Sequence, residues 1–323
     1  MWTVVPYLVP LGIVVAANLG VTRRGWRSLT YLSLALLSLL AWSAGLFLVV
    51  GSWLLRAGQQ AEIREDVASM APYGIAIVVT GLLSFLCLLP AVRRLLARAL
   101  PIDPDSPVHA TALVLSLYLA ATSLSLFLIP TDTMLDSFQS TSLGSGALVS
   151  GQVVMLLFAL AGVGLGTRRN VRQTLQRLGV RWPTLRQLLL AGGLILGFLA
   201  LDYTVAILWQ RLWPGQYQRV MEGNERLFSP FASFAGAIVL GLSAGIGEET
   251  LFRGALQPRL RIPLTALLFT VGHVQYALSP ALVEILIIGL VLGWLRERTN
   301  TTTCMLTHAG YNFLDAILMQ FFP

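Results

Sequence analysis

The chain has 323 residues, of which 56% are hydrophobic and only 11% are charged, and its mean hydropathy is +0.74. Because about a quarter of the residues of a soluble domain are charged, this composition excludes that class and predicts an integral, multi-pass membrane protein. The formal net charge is +7 and every strongly basic residue is an arginine. We expect those arginines to flank the membrane, so membrane lipid is a predicted partner and nucleic acid is not.

Apolar runs of about 20 residues, the length that crosses roughly 30 Å of hydrocarbon, recur along the whole chain. The first run begins too close to Met1 for a cleaved signal sequence, so we interpret it as a retained helix. The predicted fold is therefore all-α, a polytopic bundle of about ten transmembrane helices. The ten predicted spans are residues 2–21, 30–55, 72–92, 110–129, 147–166, 187–212, 231–257, 263–278, 281–295 and 302–322.

The distribution of arginine gives the predicted sidedness. If the chain crosses at every span, 17 of the 22 arginines fall in loops on one side, Arg253 among them. The positive-inside rule makes that side the cytoplasm and places both termini outside. We expect the cell membrane as the location.

The largest loop on the basic side, residues 167–187, predicts a short interfacial helix. Val171, Leu175 and Leu178 lie at helical spacing on one face, and Gly179 is a stop signal. Two interpretations of the arginines in this loop stay open. The arginines bind anionic lipid headgroups, or they only keep the loop on the cytoplasmic side of the membrane.

Ionisable groups inside predicted spans are concentrated in the last part of the chain. Residues 1–150 are therefore predicted to be accessory transmembrane helices, 151–186 the end of the fifth helix with the interfacial helix, and 187–323 the functional core. Three glycine pairs at four-residue spacing predict close helix packing in that core. The ionisable residues are Asp202, Glu248, Glu249, His273, Glu284, His308 and Asp315, and the glycine pairs are Gly193 and Gly197, Gly241 and Gly245, and Gly289 and Gly293.

The most informative residues are Glu248 and Glu249, two adjacent acids in an apolar helix. Each charge at bilayer depth costs roughly 2.5 to 3.5 kcal/mol, so the pair is a functional-site hypothesis by default. Arg253 lies four residues after Glu249, on the same helical face, and the two can pair. Glu248 is turned by about 100 degrees toward another neighbour. A buried ion pair that only fixes helix packing is the alternative, and it leaves Glu248 unexplained.

Two further polar groups lie at a similar depth. His273 is on the eighth span, and His308 and Asn312 are four residues apart on the tenth, so the latter two share a face. At 1.5 Å per residue, Glu248, His273, His308 and Asn312 all lie roughly 9 to 15 Å from the inner boundary. The sequence therefore predicts that the four side chains form one polar chamber.

These residue types are suited to activating water. A partly buried glutamate can act as general base, a histidine can move the second proton, and an asparagine amide can stabilise an oxyanion. Alternatively, Glu248, His273 and His308 form a possible zinc ligand set, although the H-E-x-x-H signature is missing. A divalent metal is thus possible, and no cofactor is required if the glutamate acts alone.

The three motifs resemble those of the CAAX protease and bacteriocin-processing (CPBP, or Abi) intramembrane proteases, a family that includes the type II CAAX prenyl endopeptidases. The family pattern is E-E-x-x-x-R, F-x-x-x-H and H-x-x-x-N or H-x-x-x-D on successive core helices. Here it corresponds to Glu248, Glu249 and Arg253, then Phe269 and His273, then His308 and Asn312.

The resemblance implies a membrane protease whose active site is open to the cytoplasm and lipid, and members of the family are often classed as metalloproteases. Glu248 would be the general base, assisted by His273, while His308 and Asn312 would stabilise the oxyanion and Arg253 would hold Glu249. The implied substrate is a membrane-associated, prenylated or leader peptide.

An alternative from another class is a non-catalytic scaffold or a proton-coupled transporter that uses the same buried acids. Against it, no repeated half and no pair of broken helices is present. Glu284, which has no obvious basic partner on its span, is predicted to be protonated or directed toward the chamber.

Overall fold

The computed structural model describes residues 5–58, 61–128 and 145–321, and its regular structure in these ranges is helical, apart from one isolated bridge between Leu165 and Arg169. The all-α prediction is therefore confirmed. The ends of the first, fourth and tenth predicted spans, at residues 2–4, 129 and 322, lie outside the described ranges. Two compact units are present, one made of Met1–Val15 with Asp132–Pro323 and the other of Ala16–Thr131.

The helices are numbered here in chain order. A π-helix, Thr250–Leu256, joins α10 to α11, and short 3₁₀ turns occupy Ser229–Phe231 and Val274–Tyr276. The α-helices are α1 Val5–Leu19, α2 Arg24–Gly58, α3 Ala61–Leu88, α4 Pro90–Leu96, α5 Pro107–Leu126, α6 Ser145–Val163, α7 Val171–Leu178, α8 Leu185–Leu212, α9 Pro214–Phe228, α10 Phe234–Glu249, α11 Gln257–Val271, α12 Pro280–Arg298 and α13 Thr301–Phe321.

Six segments of the described chain are long and apolar enough to cross a membrane, which supports an integral membrane protein. The helices α12 and α13, which carry ionisable side chains, are not among them. The count of ten crossings and the position of the termini stay predictions. The six segments are Arg24–Leu55, Ala71–Leu88, Pro107–Leu126, Gly146–Val163, Leu185–Leu212 and Phe234–Val271.

In the Ala16–Thr131 unit, glycines allow α2 and α3 to pack closely. A Cβ added at Gly45 would lie 2.6 Å from the backbone nitrogen of Val78, and one at Gly81 would lie 2.6 Å from that of Trp42. The buried Arg93 then closes the end of α3, because its guanidinium donates to the carbonyl of Cys87 at 3.1 Å and to that of Pro104 at 2.5 Å. Cys87 lies in the last turn of α3, where carbonyls lack helical partners, so Arg93 satisfies a helix-end carbonyl and connects it to the turn at Pro104.

In the other unit, α10 is the central helix and packs against α13 and α6. A Cβ at Gly241 or Gly245 would meet backbone oxygens of α13 at 2.5 and 2.7 Å, so this predicted glycine pair does mediate close packing. The pair Gly193 and Gly197 does not. Within the described ranges, a Cβ at either position meets nothing within 4 Å, because these two glycines lie on an open face of α8.

The polypeptide makes its sharpest helical break at Arg261, whose φ of 62° and ψ of 172° interrupt α11. Pro263 follows two residues later and cannot supply a backbone donor to a continuing helix. The break agrees with the predicted boundary between the seventh and eighth spans. The eighth span was predicted to reach Leu278, which is wrong, since α11 ends at Val271 and a 3₁₀ turn follows.

The short helix predicted in this loop is present as α7, closed at both ends by local hydrogen bonds, and its interfacial position stays a prediction. Asn170 and Gln173 form a reciprocal capping box, and Gly179 ends the helix with a φ of 73°, a conformation that glycine adopts without a steric penalty. Its predicted apolar face is divided. Leu178 is fully buried, whereas Val171 and Leu175 are exposed.

Candidate active site

Glu249 belongs to a group that we call the buried triad, defined as Glu249, Arg253 and His308. Arg253 Nε lies 3.3 Å from Glu249 Oε2, and His308 Nδ1 lies 2.9 Å from Glu249 Oε1. The side chains of Glu249 and Arg253 are 0% exposed and that of His308 is 5% exposed. Since a carboxylate oxygen only accepts, His308 donates from Nδ1. Both oxygens of Glu249 are therefore directed at positively charged or donating groups.

Phe269 on α11 packs against three of the motif residues, Arg253, His273 and His308. Its ring centroid lies 4.6 Å from that of His273 and 5.8 Å from that of His308, and the guanidinium carbon of Arg253 lies 4.8 Å above the same ring. Phe269 is itself buried. Such contacts favour one arrangement of cation and rings, so Phe269 fixes the three polar side chains relative to each other.

Glu248 belongs to a second group, the open group, defined as Glu248, Gln152 and His273. Gln152 on α6 donates from Nε2 to Glu248 Oε1 at 2.8 Å. His273 Nε2 lies 4.0 Å from Glu248 Oε2, too far for a direct hydrogen bond. Glu248 Oε2 is buried and has no hydrogen-bond partner among the described residues. One oxygen of Glu248 is thus held in place and the other faces an imidazole across a gap.

The end of α11 sets the orientation of His273. His273 lies just beyond the last helical residue, and its Nδ1 is 2.7 Å from the carbonyl oxygen of Phe269. A carbonyl accepts only, so Nδ1 carries the proton, and in the neutral ring Nε2 has a free lone pair that faces Glu248. The imidazole thereby also satisfies a helix-end carbonyl that lacks an intrahelical partner.

The close approach of α6 and α10 positions Gln152. A Cβ at Gly247 would lie 2.6 Å from the backbone oxygen of Gln152 and 2.6 Å from its side-chain oxygen. Only glycine leaves room for α6 to come this near. Gly247 precedes Glu248 directly, so the same contact brings the amide within hydrogen-bond distance of the carboxylate.

The possible zinc set of Glu248, His273 and His308 does not assemble. Over the ranges that the structure describes, no three His, Cys, Asp or Glu side chains are placed to hold a metal ion. The reason is local, because His308 uses Nδ1 on Glu249 rather than approaching Glu248. These residues therefore do not fit a metal in this arrangement.

Asn312 lies one turn beyond His308 on α13 and is half-buried. It takes no part in the hydrogen bonds that join the buried triad or the open group. Glu284 is buried and accepts a long hydrogen bond of 3.4 Å from the hydroxyl of Tyr311. Whether Glu284 is protonated or directed toward the chamber stays a prediction.

Sequence reasoning missed Gln152, although one signal was present. Gln152 carries the only side-chain amide in the predicted fifth span, residues 147–166. It also lies outside the predicted core of residues 187–323. The π-helix after Glu249 was missed as well. Such segments are rare and frequently occur at functional sites.

The fold and the site together define an integral membrane protein in which an apolar helix carries two carboxylates, each in contact with a different histidine-bearing segment. Residues 230–314 match the family described as Rce1-like, type II CAAX prenyl endopeptidase. The matched segment contains all three motifs, which confirms the resemblance and supports peptidase activity at the level of the family. No curated protein and no solved structure matches the chain.

Proposed function

We propose that the protein is an intramembrane endopeptidase of the CAAX type and that Glu248 is its general base. The observation that carries the proposal is the asymmetry of the Glu248 carboxylate. Gln152 holds Oε1, whereas Oε2 is buried without a partner among the described residues and faces His273 Nε2 at 4.0 Å. Glu248 Oε2 and His273 Nε2 are two acceptors that face each other, and a molecule that donates two hydrogen bonds can bind between them.

Water is such a molecule. A water oxygen about 2.8 Å from both acceptors would subtend an angle of about 90 degrees between them, near the tetrahedral value at which it donates well. Glu248 and His273 would then both accept hydrogen bonds from the same water. This arrangement leaves the lone pairs of the water oxygen directed at a substrate carbonyl.

The reaction proceeds by addition and elimination. The water oxygen forms a bond to the carbonyl carbon as Glu248 takes one of its protons, giving a tetrahedral oxyanion. Glu248 then returns the proton to the amide nitrogen, the carbon–nitrogen bond breaks, and a carboxylic acid and an amine are released. The proposed oxyanion donors are the Asn312 amide and His308 as an imidazolium, which donates from Nδ1 to Glu249 and from Nε2 to the oxyanion, with Arg253 and Glu249 in support.

The proposed substrate is a prenylated CAAX peptide or another membrane-associated or leader peptide. The proposed location is the cell membrane, with both termini outside and the site open to the cytoplasm, in line with the arginine distribution. The described site needs no metal for this reaction.

Cleavage of a peptide by purified protein tests the proposal. The probe is a farnesylated CAAX peptide with a fluorophore and a quencher on opposite sides of the scissile bond. Removal of a general base typically costs 10²- to 10⁴-fold, so Glu248→Gln should lower kcat by about that factor. His273→Ala should also lower kcat, and Glu225→Gln, at an exposed acid, is the matched control.

The melting temperature of each variant shows whether it is folded. Cleavage by a folded Glu248→Gln variant at the wild-type rate would refute the proposed base. Proton-coupled transport in liposomes that survives both site substitutions would favour the transporter alternative, which the family match does not favour.

A further inference from the structure

Around the last turn of α7, arginines from three different segments lie close enough for their charges to act on Arg177. We define the arginine cluster as Arg168, Arg169, Arg177, Arg259 and Arg296. Arg168 and Arg169 precede α7, Arg177 is in its last turn, Arg259 is in the first turn of α11, and Arg296 is in the last turn of α12.

Hydrogen bonding and close packing fix the positions of two members of the cluster, Arg177 and Arg296. Arg177 donates from Nη1 to the carbonyl of Gly254 in the π-helix at 3.1 Å. The guanidinium of Arg296 lies over Gly179, where a Cβ would be only 2.2 Å from Nη2. The Gly179 carbonyl in turn accepts from Thr301 N at 3.0 Å. Arg177 and Arg296 therefore lie against the same short turn.

The segments that carry the cluster hold few acidic residues. No Asp or Glu occurs in residues 137–201 or 250–283, and Glu297, beside Arg296, is exposed. Burial, and after it the fields of the other four arginines, lower the pKa of Arg177 to about 10. Guanidinium groups whose charges act on one another in this way repel. A bound anion would offset the repulsion and accept hydrogen bonds from them.

Exposed apolar side chains close in sequence to the cluster favour an anion that also carries apolar groups. Val171 and Leu175 on α7 are exposed, and Trp182 in the following turn is 96% exposed. α7 is otherwise a polar eight-residue helix, so these side chains are not part of an apolar span. Tryptophan and short amphipathic helices of this kind lie at the boundary between headgroups and acyl chains.

We propose that the arginine cluster binds the phosphate of an anionic phospholipid, with Val171, Leu175 and Trp182 lying in the surrounding interface. The phosphate accepts hydrogen bonds from Arg177 and Arg296, and the acyl chains lie along the apolar side chains. This site is separate from the carboxylates that the peptidase proposal uses, and it does not depend on that proposal.

Native mass spectrometry of the full chain in a neutral detergent tests the site. The probes are dioleoylphosphatidylglycerol, dioleoylphosphatidylcholine and inorganic phosphate. Each basic residue near an anionic surface contributes about fivefold to binding, so the double substitution Arg177→Gln and Arg296→Gln should weaken phosphatidylglycerol binding about 25-fold. Arg211→Gln is the matched control. α8 begins shortly after the cluster, at Leu185, and Arg211 lies near its far end, about 38 Å along the helix from Arg186 at 1.5 Å per residue.

Two further measurements keep the test decisive even if the double variant is unstable. Binding of phosphatidylglycerol to the wild type should weaken as salt is raised from about 50 to about 500 mM, and Trp182→Ser should weaken it without a change in melting temperature. Equal binding of phosphatidylglycerol and phosphatidylcholine would overturn the proposal. Displacement of the lipid by millimolar inorganic phosphate would instead assign the cluster to a soluble anion.

Discussion

The buried triad and the open group place two adjacent carboxylates of one helix in opposite situations. In the triad, Glu249 faces a guanidinium and an imidazole nitrogen, and its side chain is inaccessible to solvent. In the open group, Glu248 has one amide donor and one oxygen without a partner in the described chain, and the side chain of the facing His273 is 20% exposed. The neighbours of each carboxylate, rather than its residue type, therefore separate an acid with both oxygens engaged from one with an open oxygen.

The largest expected difference between the groups is in stability. Glu249→Gln leaves Arg253 as a buried, uncompensated cation, and breaking such a pair costs about 3 to 5 kcal/mol. Glu248→Gln retains an acceptor for Gln152 and should change the free energy of unfolding by less than about 1 kcal/mol. Unfolding in mixed micelles measures both values. Equal destabilisation by the two substitutions would remove the distinction between the groups.

A double-mutant cycle on the buried triad sharpens the comparison. Arg253→Met leaves Glu249 buried with His308 as its remaining partner, while the double variant Glu249→Gln with Arg253→Met leaves no unpaired charge. We expect a coupling free energy of about 1 to 3 kcal/mol, with the double variant more stable than the sum of the single changes implies. Purely additive effects would mean that the 3.3 Å ion pair does not stabilise the fold.

Gly247→Ala tests the helix contact on which the open group depends. The added Cβ would lie 2.6 Å from the backbone oxygen of Gln152, which cannot yield without movement of α6. Overpacking of this kind costs about 1 to 3 kcal/mol, and cleavage should fall as well because the amide is displaced from Glu248.

Gly197→Ala is the matched control for this substitution. A Cβ at Gly197 has open space within the described ranges, and alanine is the better helix former, so this variant should be as stable as the wild type or more so. A destabilised Gly197→Ala with an unaffected Gly247→Ala would contradict the packing described for α6 and α10.

The smallest expected effect belongs to Gln152, which donates a hydrogen bond to Glu248 and is expected to position it. Gln152→Ala should lower kcat about tenfold with KM unchanged, since the loss of one hydrogen bond to a charged group is worth roughly 1.5 kcal/mol. Gln152→Glu should lower kcat further, because a second carboxylate would lie against the first. Gln210→Ala, at an exposed glutamine of α8, is the control. An increase in KM alone would indicate a role in substrate binding instead.

Much of the site followed from local pattern and depth. The pairing of Glu249 with Arg253 follows from a four-residue spacing, and the end of α7 follows from Gly179. The partners of the two glutamates on other helices did not follow. A single amide such as Gln152 carries no periodicity, and its contact joins residues 96 positions apart in the chain. A glycine pair shows where a helix can approach another, but not whether one is there, as Gly193 and Gly197 demonstrate.

The π-helical segment Thr250–Leu256 has a consequence for chain length. A π-helical turn holds one residue more than the α-helical turn that it replaces, so the segment behaves as an insertion tolerated within a helix. Deletion of one residue there would therefore give a continuous α-helix and leave the residues beyond the segment at about their present positions. If the deleted residue lay between Glu249 and Arg253, the two would become three residues apart, a spacing that still places both on one face of an α-helix.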